Sequence, residues 1–386
     1  MTDYQLFKDE SGLELECGKI LPFIELAYNT YGKLNDDNSN VILICHPLTG
    51  DSNAKEWWPK IVGPGLSIDT NKYYVICTNS LGGCQGSTGP KSVNPETNKA
   101  YLLDFPMITI GDMVKAQRRL IEHLGIQKIK MVIGGSMGGM QALEWVAQVP
   151  EMVESCAPIA ACTKVSPLAI AFDSVGRRSI LEQLKSGSGE SGLAVARQLG
   201  HITYLSEDAM EKKFSRRLQQ SDKYQFTLEP EFEIESYLNY QGEKFIKRFD
   251  LYSYLVLTKA VSYFDLEHTY GSLLSLFEPT NAKFLVLSIS SDWLYTPKQS
   301  KGLAHMLMKI NKHVSYVEID SDYGHDTFLI DSDETIWERE PLSKLASMGE
   351  LAAHYHNSFW HPMDSLRDKN YLNKLWESNK APWKVW

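Results

Sequence analysis

The 386-residue chain has no stretch that stays apolar for the roughly 20 residues a membrane-spanning helix needs. Residues 1–14 carry several acidic groups and no apolar core, so they do not read as a secretory leader. There is no surplus of positive charge: 39 Lys and Arg against 48 Asp and Glu leave a net charge of −9. Without a basic stripe, the chain lacks the electrostatics of a nucleic-acid or acidic-membrane binder. The six cysteines include no C-x-x-C pair, and no histidine cluster accompanies them. They read as buried free thiols in a reducing cytoplasm, not as zinc ligands or a disulfide framework. Internal repeats are absent too, which argues against a solenoid, and no low-complexity tract suggests disorder.

Present instead is an alternation of short apolar runs with amphipathic ones. Continuous apolar runs at 41–45 and 73–77 predict buried strands, 129–133 and 153–161 read as further strands, and 110–124 and 141–148 predict helices between them. Strands alternating with helices imply an α/β protein with a mainly parallel sheet covered by helices on both faces. From about residue 166 to 270 helical periodicity takes over, with helices expected at 177–184, 193–205, 209–218 and 251–264. The α/β pattern resumes with strands at 284–287 and 314–319 and a closing helix at 342–354. The expected organisation is an α/β core of residues 1–165 and 271–386, with a helical lid domain at 166–270.

The chemistry centres on Gly134-Gly135-Ser136-Met137-Gly138-Gly139, between an expected strand and an expected helix. This context meets the nucleophile-elbow pattern G-x-S-x-G. The turn must be very sharp, so the neighbours of the serine must be small. It lifts the Ser136 hydroxyl above the sheet and aims the Met137 N–H at a developing oxyanion. A phosphate loop does not fit, because neither the Lys-Ser/Thr ending nor G-x-G-x-x-G is present. A serine needs a base and a group to orient that base. His325 follows the expected strand 314–319 in a polar loop, and Asp292 follows the strand at 284–287. Both lie where a parallel sheet delivers functional residues. Asp292 also suits a turn-capping role. The loop 46–50 after the first strand places the Leu48 N–H as the second oxyanion donor. His305 and His313 lie on or beside a helical run, and His354 and His356 have no carboxylate or cysteine cluster to make a metal site.

Several runs resemble the homoserine O-acetyltransferase family: His46-Pro47-Leu48-Thr49-Gly50-Asp51, Trp57-Trp58, Gly82-Gly83-Cys84-Gln85-Gly86, Gly134 to Glu144, Ala171-Phe172-Asp173-Ser174-Val175-Gly176-Arg177, Gly200-His201-Ile202-Thr203-Tyr204-Leu205 and Gly324-His325-Asp326. The resemblance spans roughly residues 20 to 335. It implies an α/β-hydrolase fold and ping-pong transfer of an acetyl group from acetyl-CoA to the hydroxyl of L-homoserine, in methionine synthesis. Acetyl-CoA would be a substrate, with no cofactor or metal. By the same resemblance Arg177 binds the substrate, and Asp326 contacts its amino group. One cation and one anion are what a zwitterionic amino acid requires. A cytoplasmic homodimer, joined through the lid helices, is also implied.

Three alternatives stay open. A succinyl-CoA donor, or serine as acceptor, would use the same machinery. A carboxylesterase would use the same three residues with water. A non-catalytic binding module would not need them. The loop between Asp51 and Trp57 and the segment Ile180 to Gly192 are shorter than is usual in the family, and both bear on the acyl donor.

Overall fold

The computed structural model describes residues 4–219 and 223–329. Runs such as Val41-Ile42-Leu43-Ile44-Cys45 have no polar alternation, so strands made from them must be covered on both faces. The structure does this with one eight-stranded sheet. Its strands in chain order are β1 (Gln5–Asp9), β2 (Ile24–Tyr31), β3 (Val41–Cys45), β4 (Tyr74–Thr78), β5 (Met131–Gly135), β6 (Ser155–Ile159), β7 (Lys283–Ile289) and β8 (Val314–Ile319). Their order across the sheet is β1-β2-β4-β3-β5-β6-β7-β8. The pairs β1/β2 and β2/β4 are antiparallel, and the rest are parallel. From β3 the chain leaves toward one edge, and from β5 toward the other. That reversal opens a crevice at the carboxyl ends of β3 and β5, where α/β sheets place their sites.

Helix α1 (Ile110–His123) starts at a capping box: the Asp112 N–H donates to Thr109 Oγ1 (3.1 Å), and the Thr109 N–H donates to the Asp112 carboxylate (3.1 Å). Gly125, at φ 72°, follows its end. Helix α2 (Met137–Gln148) is buried on nearly every side. The two helices share a buried polar contact, with Gln117 donating to Gln141 (2.6 Å) and accepting from the Trp145 indole (2.8 Å). These bonds satisfy groups that would be costly to bury alone.

Between β6 and β7 the chain forms helices, the larger ones being α3 (Pro167–Leu184), α4 (Glu190–Tyr204), α5 (Glu207–Phe214), α6 (Glu233–Ile246) and α7 (Leu251–Tyr263). Helix α3 begins ten residues before the expected 177. Ser166 caps it, accepting from the Ala169 N–H (3.2 Å), and Pro167 occupies the first turn. Helix α8 (Pro297–Lys309) lies between β7 and β8. Strands β1 and β2 and helix α6 were not expected from the sequence. The closing helix expected at 342–354 lies outside the described residues. No helix among the described residues is long and apolar enough to cross a membrane.

Candidate active site

Ser136 joins β5 to α2 at φ 57°, ψ −123°, a backbone conformation that side-chain-bearing residues rarely adopt. Backbone hydrogen bonds hold it there. Its N–H donates to the Ile159 carbonyl (2.9 Å), and its carbonyl accepts from Gly139 (2.9 Å) and Met140 (3.1 Å). The flanking glycines have steric reasons. A Cβ on Gly138 would strike the Cys45 carbonyl at the end of β3, and one on Gly135 would strike the Phe328 ring. Helix α2 therefore begins at Met137, four residues before the expected start. The Ser136 carbonyl takes the Gly139 and Met140 N–H groups, so the Met137 N–H at the very start of the helix is left without an intrahelical acceptor, at the crevice end of the sheet.

Ser136, Met137 and Leu48 line one cavity of about 40 Å³, which Asp173, Tyr204 and Tyr295 also line. The Leu48 loop is held by His46, which is 4% exposed. Its Nδ1 lies 2.7 Å from the Pro47 carbonyl, and its Nε2 accepts from the Ser80 N–H (3.0 Å). The two bonds fix the Nδ1–H tautomer. Burial keeps the ring's pKa below its usual value. Sequence reasoning named His46 only as part of a motif. Its place directly after a buried strand was the available signal.

His325 and Asp292 are brought together as expected. Nδ1 of His325 lies 2.7 Å from Oδ2 of Asp292, and the residues are 2% and 3% exposed. The other oxygen, Asp292 Oδ1, accepts from the Leu294 and Tyr295 N–H groups (2.9 Å each). Asp292 thus caps its turn and orients the imidazole at once. Burial alone would depress the His325 pKa, but the Asp292 charge and hydrogen bond outweigh it and raise the value. The imidazole packs among the rings of Tyr295 (5.2 Å), Phe328 (5.5 Å) and Tyr204 (5.8 Å). Tyr204 and Tyr295 connect it to the cavity, and Phe328 connects it to Gly135. The Trp58 indole donates to the Phe328 carbonyl (2.7 Å), which anchors that segment from below.

The expected substrate-holding residues fall into two charged sets. Asp326 follows His325. Burial raises its pKa, while the charges of His325 and Arg197 pull it back. Arg197, on α4, lies over the rings of Phe245 (4.8 Å) and Tyr204 (6.0 Å). Arg177 belongs to the other set. Its Nη1 donates to Ser262 Oγ (3.0 Å), and its charge acts on Asp173 one helical turn earlier. The sequence reading missed Arg197 and Asp173. Both sit inside the recognised runs or one turn from them, at helical spacing from Tyr204 and Arg177. All six cysteines are free, and the described residues include no group of His, Cys, Asp and Glu able to hold a metal.

The sheet order, with a strained serine between its fifth strand and the following helix, defines an α/β-hydrolase-fold protein. The chain matches the alpha/beta hydrolase fold family over residues 40–332. It is 51% identical over 351 residues to a homoserine O-acetyltransferase of Methanobrevibacter ruminantium, covering 86% of this chain and 71% of the relative. Among solved structures, homoserine O-acetyltransferase from Bacillus anthracis superposes with a TM-score of 0.80 at 29% identity, covering 86% of this chain and 95% of that one. Esterase E22 superposes at 0.79 with 27% identity, covering 91% and 99%. The chain belongs to the homoserine O-acetyltransferase family.

Proposed function

We propose that the protein transfers the acetyl group of acetyl-CoA to the hydroxyl of L-homoserine through an acyl-enzyme on Ser136, a step of methionine biosynthesis. The observation that carries this reading is the cavity itself. It is lined by the strained Ser136, by Leu48 and Met137 and by the carboxylate of Asp173, and the charge of Arg177 acts on that carboxylate. An ester pocket has no need of such charges, whereas a zwitterionic acceptor does.

In the first half-reaction His325 Nε2 takes the Ser136 proton as Oγ attacks the thioester carbonyl. The oxyanion rests on the N–H groups of Met137 and Leu48, a stabilisation of the kind worth roughly 100-fold to 1000-fold in rate. The C–S bond breaks, and the imidazolium returns the proton to the leaving thiolate, releasing CoA. In the second half His325 deprotonates the homoserine hydroxyl, which attacks the acyl-enzyme. Ser136 recovers the proton as O-acetyl-L-homoserine departs. Asp292 holds the imidazole in the required tautomer throughout. Acetyl-CoA is a substrate, and the reaction calls on no further cofactor.

Asp326 takes the acceptor's ammonium. For its carboxylate, the resemblance points to Arg177, but that guanidinium is turned to Ser262. Arg197 acts directly on Asp326, and no carboxylate pairs with it among the described residues. Arg197 is therefore a second candidate clamp beside Arg177, which is tied through Ser262 to the cavity-lining Asp173. Helices α3–α7, residues 166–270, act as the lid over this site. Exposed Val175 and Leu181 on α3 and Val195 and Ile202 on α4 support a homodimer through that lid, and we place the enzyme in the cytoplasm. Sedimentation as a monomer at micromolar concentration would contradict the dimer.

The test is to follow free thiol from acetyl-CoA, and separately from succinyl-CoA, with and without L-homoserine. The reading expects sustained thiol release only with acetyl-CoA and homoserine together, with stoichiometric O-acetylhomoserine. Release indifferent to homoserine would make the protein an esterase-like hydrolase.

A further inference from the structure

Among the described residues, Asp173 is the one carboxylate that lines the Ser136 cavity. Its bonding is incomplete. Its hydrogen bond from Ser262 Oγ is long, at 3.4 Å, and the same hydroxyl has a shorter acceptor in the Thr258 carbonyl, at 2.9 Å. A hydroxyl has one proton, so only one of these bonds forms at a time. Arg177 reaches Asp173 only through Ser262 and as a charge, not as a direct ion pair. A carboxylate taken out of water is normally paired or well hydrogen-bonded. Here burial pushes the Asp173 pKa up to about 7, against the opposing pull of Arg177.

We propose that Asp173 is a second carboxylate of the acceptor site, accepting a hydrogen bond from the ammonium group of the amino-acid substrate. An ammonium has three donors, and Asp326 occupies only one of them. Tyr204 lines the cavity together with Asp173 and packs against the ring of His325, the residue before Asp326. Tyr204 and Tyr295 supply aromatic walls of the kind cations favour. This inference rests on the transferase reading above.

The experiment compares L-homoserine with 4-hydroxybutanoate, which keeps the hydroxyl and the carboxylate but has no amino group. Wild type, Asp173→Asn and Asp173→Ser are assayed with acetyl-CoA, alongside thermal melts and the homoserine-independent first-turnover release of CoA. Both variants are expected to lose about 10-fold to 100-fold in kcat/KM for homoserine. Their kcat/KM for 4-hydroxybutanoate and their first-turnover CoA release stay within about twofold of wild type. Equal losses for both acceptors, or an unchanged homoserine value, would overturn the proposal and leave Asp173 a packing residue of α3. If Asn alone melts early, Ser carries the comparison. Failure of the wild type itself to form any O-acetylhomoserine would instead overturn the transferase reading, which is a separate outcome.

Discussion

Asp292 reaches His325 with one carboxylate oxygen, at 2.7 Å, while its other oxygen accepts the N–H groups of Leu294 and Tyr295. The carboxylate is therefore fixed by its own loop before it touches the imidazole. It sets which nitrogen carries the proton, and it raises the His325 pKa against the effect of burial. In the proposed reaction, orientation and electrostatics would both come from this one side chain, already fixed by its own loop.

The Asp292→Asn variant tests that coupling. The amide keeps one oxygen for the turn but presents N–H to Nδ1, which favours the wrong tautomer. A fall in kcat of roughly 1000-fold to 10,000-fold is expected, with the fold retained. The pH profile adds a second readout. Activity needs neutral His325, and Asp292 raises its folded pKa above 6.5, so wild-type kcat/KM falls as pH drops through that raised value. In the variant the falling limb moves to lower pH. An unmoved limb would show that Asp292 does not set the His325 charge.

Ser136 stores backbone strain, and glycine is the residue that releases it. A side chain at φ 57°, ψ −123° costs about 1–3 kcal/mol, while glycine adds about 0.5–1 kcal/mol of unfolded-state entropy. Ser136→Gly is expected to be inactive and about 1 kcal/mol more stable than Ser136→Ala in urea unfolding. The reverse order would remove strain as the reason for the geometry.

Arg197 and Arg177 make separable predictions. Arg197→Gln is expected to reduce homoserine kcat/KM at least about 10-fold through KM, while the first release of CoA is kept. Arg177→Gln acts through Asp173 and Ser262, so its loss should be smaller. A larger effect at Arg177 would return the carboxylate to that residue, as the resemblance first implied.

His201 predicts an acid weakness. It is 7% exposed, and its Nε2 has no hydrogen-bond partner. Burial first, then the charges of Arg197, Lys213 and Arg248, lower its pKa from 6.5 to about 3. A depressed folded value means the unfolded chain binds the proton first. Stability is therefore lost as pH falls from about 6.5 toward about 3. His201→Phe has nothing to titrate there, so the variant's stability relative to wild type should rise as pH drops through that window. A constant difference in chemical unfolding across that range would contradict it.

Much of this site was legible before any coordinates. The glycines around Ser136 announce a turn with no room for side chains, and the Cys45 carbonyl and Phe328 ring show what fills that room. Asp292 and His325 follow strands, so the sheet delivers them to one edge whatever the loops do. What was hidden depends on tertiary placement. Strands β1 and β2 pair antiparallel at an edge, and β2 breaks strict alternation because much of it is covered. Helix α6 carries only Gly242 and Phe245 as buried residues, so its apolar stripe is thin. Arg177 closes one recognised run and Arg197 stands one turn before another, and only the fold shows that the charge of one acts on Asp173 and that of the other on Asp326.

The central claim is that Ser136 carries the acyl group and that homoserine removes it. Intact-mass measurement after mixing the protein with acetyl-CoA alone tests this most directly. The account predicts one added acetyl group, mapped to the peptide containing Ser136 and absent in Ser136→Ala. On addition of L-homoserine it should vanish, with matching O-acetylhomoserine. An acetyl group absent under these conditions, placed on another residue, or lost to water at the same rate with and without homoserine would contradict the account.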